Sequence, residues 1–173
     1  MKKKVLGMAL AAMMVLGLAA CGEKNEDTPG GGEEVNVKVE EITEKITETL
    51  EYGAMIELDA ETLLQFYELD AELLEAYDAN IPMMNVTTQE YSVFKVKDAK
   101  DMDTVMAAIE KRATAVQKSF EQYLPDQYEN AKNYYAEAKG NYAIFVIHDT
   151  AAVTRLFLAR MSASTLAVAL FFI

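Results

Sequence analysis

The sequence predicts an α+β domain, in which a small, mostly antiparallel sheet of three to four strands packs against one long helix plus shorter helices. Three observations carry this expectation. Residues 102–123 place apolar side chains at helical spacing over about six turns. Residues 91–97 and 142–148 are short runs rich in β-branched and aromatic residues. Gly140-Asn141 stands just before the second run, where two turn residues can close a hairpin.

The first 20 of the 173 residues are expected to lie outside that fold. Lys2, Lys3 and Lys4 form a positive start, and residues 5–20 carry no charge. That apolar run is 16 residues long, short of the roughly 20 that a membrane-spanning helix needs. A basic start with a short apolar stretch reads as a secretory signal peptide. Its end, Leu18-Ala19-Ala20-Cys21 followed by Gly22, matches the lipobox of bacterial lipoproteins. Small side chains at Ala19 and Ala20 suit a peptidase that needs room beside the cut bond. The Cys21 thiol is the nucleophile that accepts a diacylglyceryl group. Two acyl chains, at about 0.8 kcal/mol per buried methylene, suffice for stable anchoring. Cys21 is also the only cysteine, so there is no disulfide framework.

Residues 21–34 are expected to be a tether, because they lack large apolar side chains and contain Pro29 followed by three glycines. The domain proper is expected over 35–150. Val39, Ile42, Ile46 and Leu50 recur at helical spacing and give a first amphipathic helix. Leu58-Asp59-Ala60-Glu61 is echoed by Leu69-Asp70-Ala71-Glu72, which predicts two short consecutive helices, each capped by its aspartate. Residues 81–86 and 91–97 then read as two strands, with Pro82 at an edge or a strand start. In the long helix, Met102, Val105, Met106, Ile109, Ala113, Val116, Phe120 and Tyr123 form the apolar stripe. Asp98 or Asp101 is available as its cap, and Lys111, Arg112, Lys118 and Glu121 are assigned to the wet side. Pro125 ends this helix and can open the next. The nearly continuous apolar run at 142–148 predicts a central strand, with residues 134–138 as its hairpin partner.

Loss of the signal takes the formal charge from −12 to −15. Such acidity argues against nucleic acid, whose phosphates demand Lys and Arg. It also argues against a domain lying flat on anionic lipid.

Phe94, Lys97-Asp98, Tyr123, Pro125, Gln127-Tyr128 and Gly140-Asn141-Tyr142 fall in a characteristic order. In this order the chain resembles a family of bacterial lipoproteins catalogued only as a domain of unknown function, over roughly residues 35 to 150. In that pattern a lipobox and short linker precede a Phe- and Lys-rich strand, a capped long helix and a Gly-Asn-Tyr hairpin. Leu124 is one residue extra in the second motif. The resemblance implies the address and the fold, but no activity and no functional residues.

The tail, residues 151–173, departs from the pattern. After Arg155 and Arg160 come 13 residues without charge, ending in Leu170-Phe171-Phe172-Ile173. A buried last element is one reading. The preferred one is an ending out of frame beyond about residue 157, with no selected structure and an exposed apolar liability.

Candidate chemistry is sparse. His148-Asp149 has the residue types of a base and its orienting acid, but there is no cysteine beyond Cys21 and no Gly-x-Ser-x-Gly elbow to supply a nucleophile. An ordinary strand-end pair is the preferred account. One histidine and no free cysteine exclude the usual zinc sites. Asp98, Asp101 and Asp103 lack the spacing and glycine of a calcium loop and read as helix-start acids. The nine tyrosines can be a glycan or peptide platform, though core-edge packing is preferred. No catalytic, cofactor-binding or metal residue is therefore assigned, and no cofactor is implied. The expectation is a lipid-anchored, extracytoplasmic, non-enzymatic module that meets an envelope protein or cell-wall component. The alternative is a small-ligand receptor or hydrolase using an unrecognised carboxylate site.

Overall fold

The computed structural model describes residues 36–149. Leu18, Ala19, Ala20, Cys21, the tether and the apolar tail lie outside the described residues.

The first helix, α1 (Val39–Thr49), buries Val39, Ile42 and Ile46 on one face, as the spacing predicted. The short strand β1 (Met55–Glu57) follows, then α2 (Ala60–Tyr67). Asp59 caps α2 by accepting the Thr62 amide at 2.9 Å. Asp70 caps in the same way, accepting from Glu72 N at 2.8 Å. The echo of α2 ends there. The expected second helix is only a 3₁₀ turn, Ala71–Leu73, and the chain turns into strand β2 (Leu74–Pro82). Leu, Glu and Ala at its start favour a helix locally. A register shift between Leu74 and Ala76 also breaks the alternation that would have announced a strand. The ladder to β3, which pairs Leu74 with Val96 and Ala76 with Lys95, overrides that local preference.

The strand expected at 81–86 is in fact only the end of β2. Pro82 closes it, and residues 83–89 form the connection to β3 (Glu90–Val96). A 3₁₀ turn, Ala99–Asp101, leads into α3 (Met102–Phe120), whose buried stripe is Val105, Ala108, Ile109, Ala113, Val116 and Phe120. Tyr123 lies past the end of α3 and is exposed, so it does not belong to that stripe. Pro125 opens α4 (Pro125–Lys132) in its first turn, where its missing N–H breaks no bond. The hairpin β4 (Tyr135–Lys139) and β5 (Tyr142–Ile147) closes through Gly140-Asn141. The positive φ falls on Gly140, at 57°, the first turn position and the place for glycine in a type II′ turn.

The five strands form one fully antiparallel sheet in the order β1-β2-β3-β5-β4. This is one strand more than the upper expectation, because β1, at three residues, is too short to leave a periodic signal. Both faces of the sheet are covered. On one, Val39, Ile42, Ile46 and Leu50 pack on Val93, Ile144 and Val146. On the other, Leu63, Tyr67, Ile109 and Phe120 pack against Phe94, Phe145 and Ile147. Two-sided burial explains why all six residues of β5 are buried and why its sequence is continuously apolar. Among the described residues no helix is long and apolar enough to cross a membrane.

Candidate functional site

The chemistry-bearing residues gather where β5 ends, beside the α1–β1 connection and the start of β3. His148 follows β5 and is 6% exposed. Its Nδ1 accepts the Asp149 amide at 2.9 Å, and its Nε2 lies 2.8 Å from the Glu51 carbonyl. The Nε2–H tautomer satisfies both contacts. The Asp149 carboxylate also lies 2.9 Å from Nδ1, so the expected His148-Asp149 residues are adjacent, but an Nδ1 that accepts the amide has no proton to give that carboxylate. The nitrogen that a general base would present is nevertheless engaged by main chain. Gln89 Nε2 stands 3.1 Å from that same nitrogen.

An aromatic cluster covers the histidine. The Tyr52 ring meets His148 edge-on at 5.1 Å and Tyr91 at 4.6 Å. The Tyr52 hydroxyl is buried and has no hydrogen-bond partner among the described residues. Burial, reinforced by Tyr91, pushes this phenol far above its ordinary pKa. Tyr91 is raised by its own burial and then by the carboxylates of Asp78 and Glu57. Tyr77 is raised likewise, by burial and then by Asp59 and Glu57.

Beside the cluster lies a shallow groove of about 120 Å³, lined by Gly53, Met55, Pro82, Met84, Val86 and Gln89 among others. No acidic or basic side chain lines it. Its rim is unusually apolar for a surface: Met83 is 59% and Met84 60% exposed, with Val86 also exposed. Local sequence builds this place. Pro82 sits opposite Met55, in a pair that exchanges no hydrogen bonds, so its missing N–H leaves the ladder intact. Gln127 of α4 then pins the connection, its side-chain oxygen accepting the Thr88 amide at 2.9 Å.

A second polar cluster is internal. Glu90 is 1% exposed at its side chain, and Arg112 reaches it with Nε at 2.8 Å and Nη2 at 2.7 Å. The Tyr67 hydroxyl donates to Glu90 at 2.6 Å and lies 2.7 Å from Ser92 Oγ. The Arg112 guanidinium also lies 5.2 Å from the Phe66 ring centre. Burial alone would lower the guanidinium pKa, but hydrogen bonding and charge from Glu90 outweigh it and hold it up. Burial and the Glu90 charge raise the Tyr67 phenol well above its ordinary value. Arg112 is thus not on the wet side of α3, where its residue type alone would place it. The signal was there: Arg112 falls three residues after Ile109 and four before Val116, inside the buried stripe.

The remaining candidates are used by the fold. Asp98 accepts the Lys100 amide at 3.1 Å and pairs with Lys100 Nζ at 2.8 Å. Among the described residues no three His, Cys, Asp or Glu side chains come together as metal ligands. The tyrosines between 123 and 142 do not share one platform. Tyr134 packs on Phe145, Tyr135 joins the opposite core, and the Tyr142 hydroxyl donates to the Val37 carbonyl at 2.7 Å.

A family model described as a domain of unknown function (DUF4358) matches residues 48–148. The match covers more than half of the chain. The chain belongs to this family. No curated protein and no solved structure matches it. The matched span starts at the end of α1 and includes all five strands of the DUF4358 domain. The motif residues of the sequence serve mainly as its fixings. Phe94 is core, Lys97 Nζ donates to the Glu72 carbonyl at 2.9 Å, and Asp98 caps. Pro125 opens α4, Gln127 holds Thr88 and Gly140 makes the turn. The recognisable pattern of the DUF4358 domain therefore describes a fold.

Proposed function

We propose that this DUF4358 protein is lipidated on Cys21, sits on the extracytoplasmic face of the cell membrane, and acts there as a non-enzymatic binding module. The observation that carries the binding part is the exposed apolar rim of Met83, Met84 and Val86. It lies at an end of the sheet where the one histidine of the chain is tied into main chain. The lipobox at Leu18-Ala19-Ala20-Cys21 supports the anchor, and the basic start and uncharged run before it support export. The partner class is an envelope protein or cell-wall component, with nucleic acid disfavoured by the charge of −12. The alternative, a small-ligand receptor or hydrolase with a carboxylate site, gains little from the groove. At about 120 Å³ it is smaller than ligand pockets of roughly 300–1,000 Å³ and has no carboxylate in its lining.

The test is in-cell crosslinking and affinity capture of the wild type beside Cys21→Ala, with mass spectrometry of the N-terminal peptide. A diacylglyceryl adduct on Cys21 and a stoichiometric partner lost from Cys21→Ala are expected. An unmodified Cys21 refutes the anchor. Turnover of an envelope substrate that survives repurification and depends on one residue refutes the non-enzymatic reading.

A further inference from the structure

We infer that the free edge of β1 is a docking strand for an extended peptide segment in which Lys or Arg alternates with apolar side chains. This rests on the binding-module reading and assigns it a surface and a partner chemistry.

The first observation is the edge itself. The amide of Met83 donates to the Ala54 carbonyl at 2.9 Å and that of Leu58 to the Ala79 carbonyl at 2.8 Å. In the antiparallel register Met55↔Pro82, Ile56↔Ile81, Glu57↔Asn80, residues 54, 56 and 58 therefore bond to β2. Met55 and Glu57 turn their N–H and C=O groups away from the sheet. β1 is the terminal strand of the order, and such a row of unpaired groups is a template for another strand. The charges, prolines and bulges that blunt edges are nearly absent here, with Glu57 the one charge within β1.

The second observation is what surrounds the edge. The groove opens beside Met55 and Gly53, where an added Cβ would meet nothing within 4 Å, and Met83, Met84 and Val86 stand exposed at its rim. These are side-chain pockets of the kind that give an added strand its specificity, and flexible methionines adapt to varied apolar partners.

The third observation selects the partner by charge. From Ile46 to Phe94 the chain has no Lys or Arg and 11 Asp or Glu. This stretch builds β1, α2, β2 and the rim. Lys45, Lys111, Lys95 and Arg112 reach in from outside it to pair Glu48, Glu68, Glu75 and Glu90. Glu51, Glu57 and Asp59, which flank β1, have no ion pair among the described residues. The raised phenols of Tyr77 and Tyr91, after burial, report the same field through Asp59, Asp78 and Glu57. A cationic strand gains from this field and an anionic one is repelled. A second copy of this chain would bring the same acidic edge, with Glu51, Glu57 and Asp59, against its own like charge.

The test uses the full-length protein in neutral phosphatidylcholine nanodiscs and dye-labelled peptides read by fluorescence anisotropy. The probes are an alternating lysine–valine peptide, its glutamate–valine counterpart, and a lysine–valine peptide interrupted by proline. Saturable binding of the first is expected, weakened about tenfold or more in the other two. Glu57→Pro removes an outward N–H while leaving β1–β2 pairing intact and should weaken binding about tenfold, whereas Glu57→Gln keeps the N–H and should weaken it about twofold to threefold. Met84→Asp, outside the strand, tests the same surface if Glu57→Pro does not fold. Equal binding of all three peptides, or no effect of Glu57→Pro and Met84→Asp, overturns the inference. Self-association abolished by Glu57→Pro overturns it in favour of a second copy. If β1 binds no peptide but in-cell capture still yields a partner, this surface is wrong and the binding-module reading stands.

Discussion

The Glu90–Arg112 pair gives the sharpest test of how the domain is held together. Arg112→Met keeps most of the side-chain volume over Phe66 and leaves Glu90, with 1% exposure, without its cation. Only the Tyr67 hydroxyl then remains to it among these partners. Removing one partner of a buried pair costs about 3–5 kcal/mol, because the other charge is left uncompensated. For a domain whose whole stability is of order 5–15 kcal/mol, that is a large fraction. Glu90→Leu with Arg112→Met removes both charges, and Tyr67 and Ser92 can still bond each other across 2.7 Å. The double variant should thus return to within about 1–2 kcal/mol of wild type. Urea unfolding followed by circular dichroism reads this directly. With m near 1.5 kcal/mol/M, Arg112→Met should lower the midpoint by about 2–3 M and the double variant by no more than about 1.3 M. A loss below about 1 kcal/mol in Arg112→Met at unchanged m would falsify the reasoning. So would a double variant as unstable as the two single losses added together.

Tyr52→Phe removes a buried hydroxyl that has no partner among the described residues and should stabilise by about 1 kcal/mol, measured by urea midpoint. The pH dependence carries the same signature. The folded-state pKa values of Tyr52 and Tyr67 are both raised, so their contribution is full below the unfolded value near 10 and is lost as pH rises above it. Each should remove about 1.4 kcal/mol per pH unit there, and Tyr52→Phe should lower the total slope by that one increment; an unchanged slope would sink the assignment. Asp59→Ala deletes the α2 cap and should cost about 1 kcal/mol, visible as faster amide exchange at Thr62. Gly53→Ala meets open space and should raise the melting temperature through an unfolded-state entropy gain of about 0.4–1 kcal/mol, with destabilisation as the contrary result.

Sequence and structure agree where one physical rule acts alone. The stripe of α3 is set by a helical period sustained over 19 residues. The β4–β5 hairpin is set by glycine at a left-handed position, and the two aspartate caps by side-chain geometry available to any chain. They diverge where a distant partner outvotes the local preference. Leu74 to Ala76 favours a helix until β3 offers it a ladder. Arg112 counts as a surface residue by type until Glu90, 22 positions away, gives it a buried carboxylate.

By itself the sequence determined the α+β class, the long helix, the hairpin and the acidic character, because each follows from composition or from neighbours within a few residues. It also carries Leu18-Ala19-Ala20-Cys21, whose proposed reading as a lipobox rests on local sequence and needs no fold. Only the tertiary structure decided that His148 is tied to Glu51, that Tyr52 caps it, and that β1 ends the sheet beside an apolar rim. Those contacts join segments as far as 97 residues apart. No local pattern encodes them, because the free energy that selects them comes from burial shared across the whole sheet.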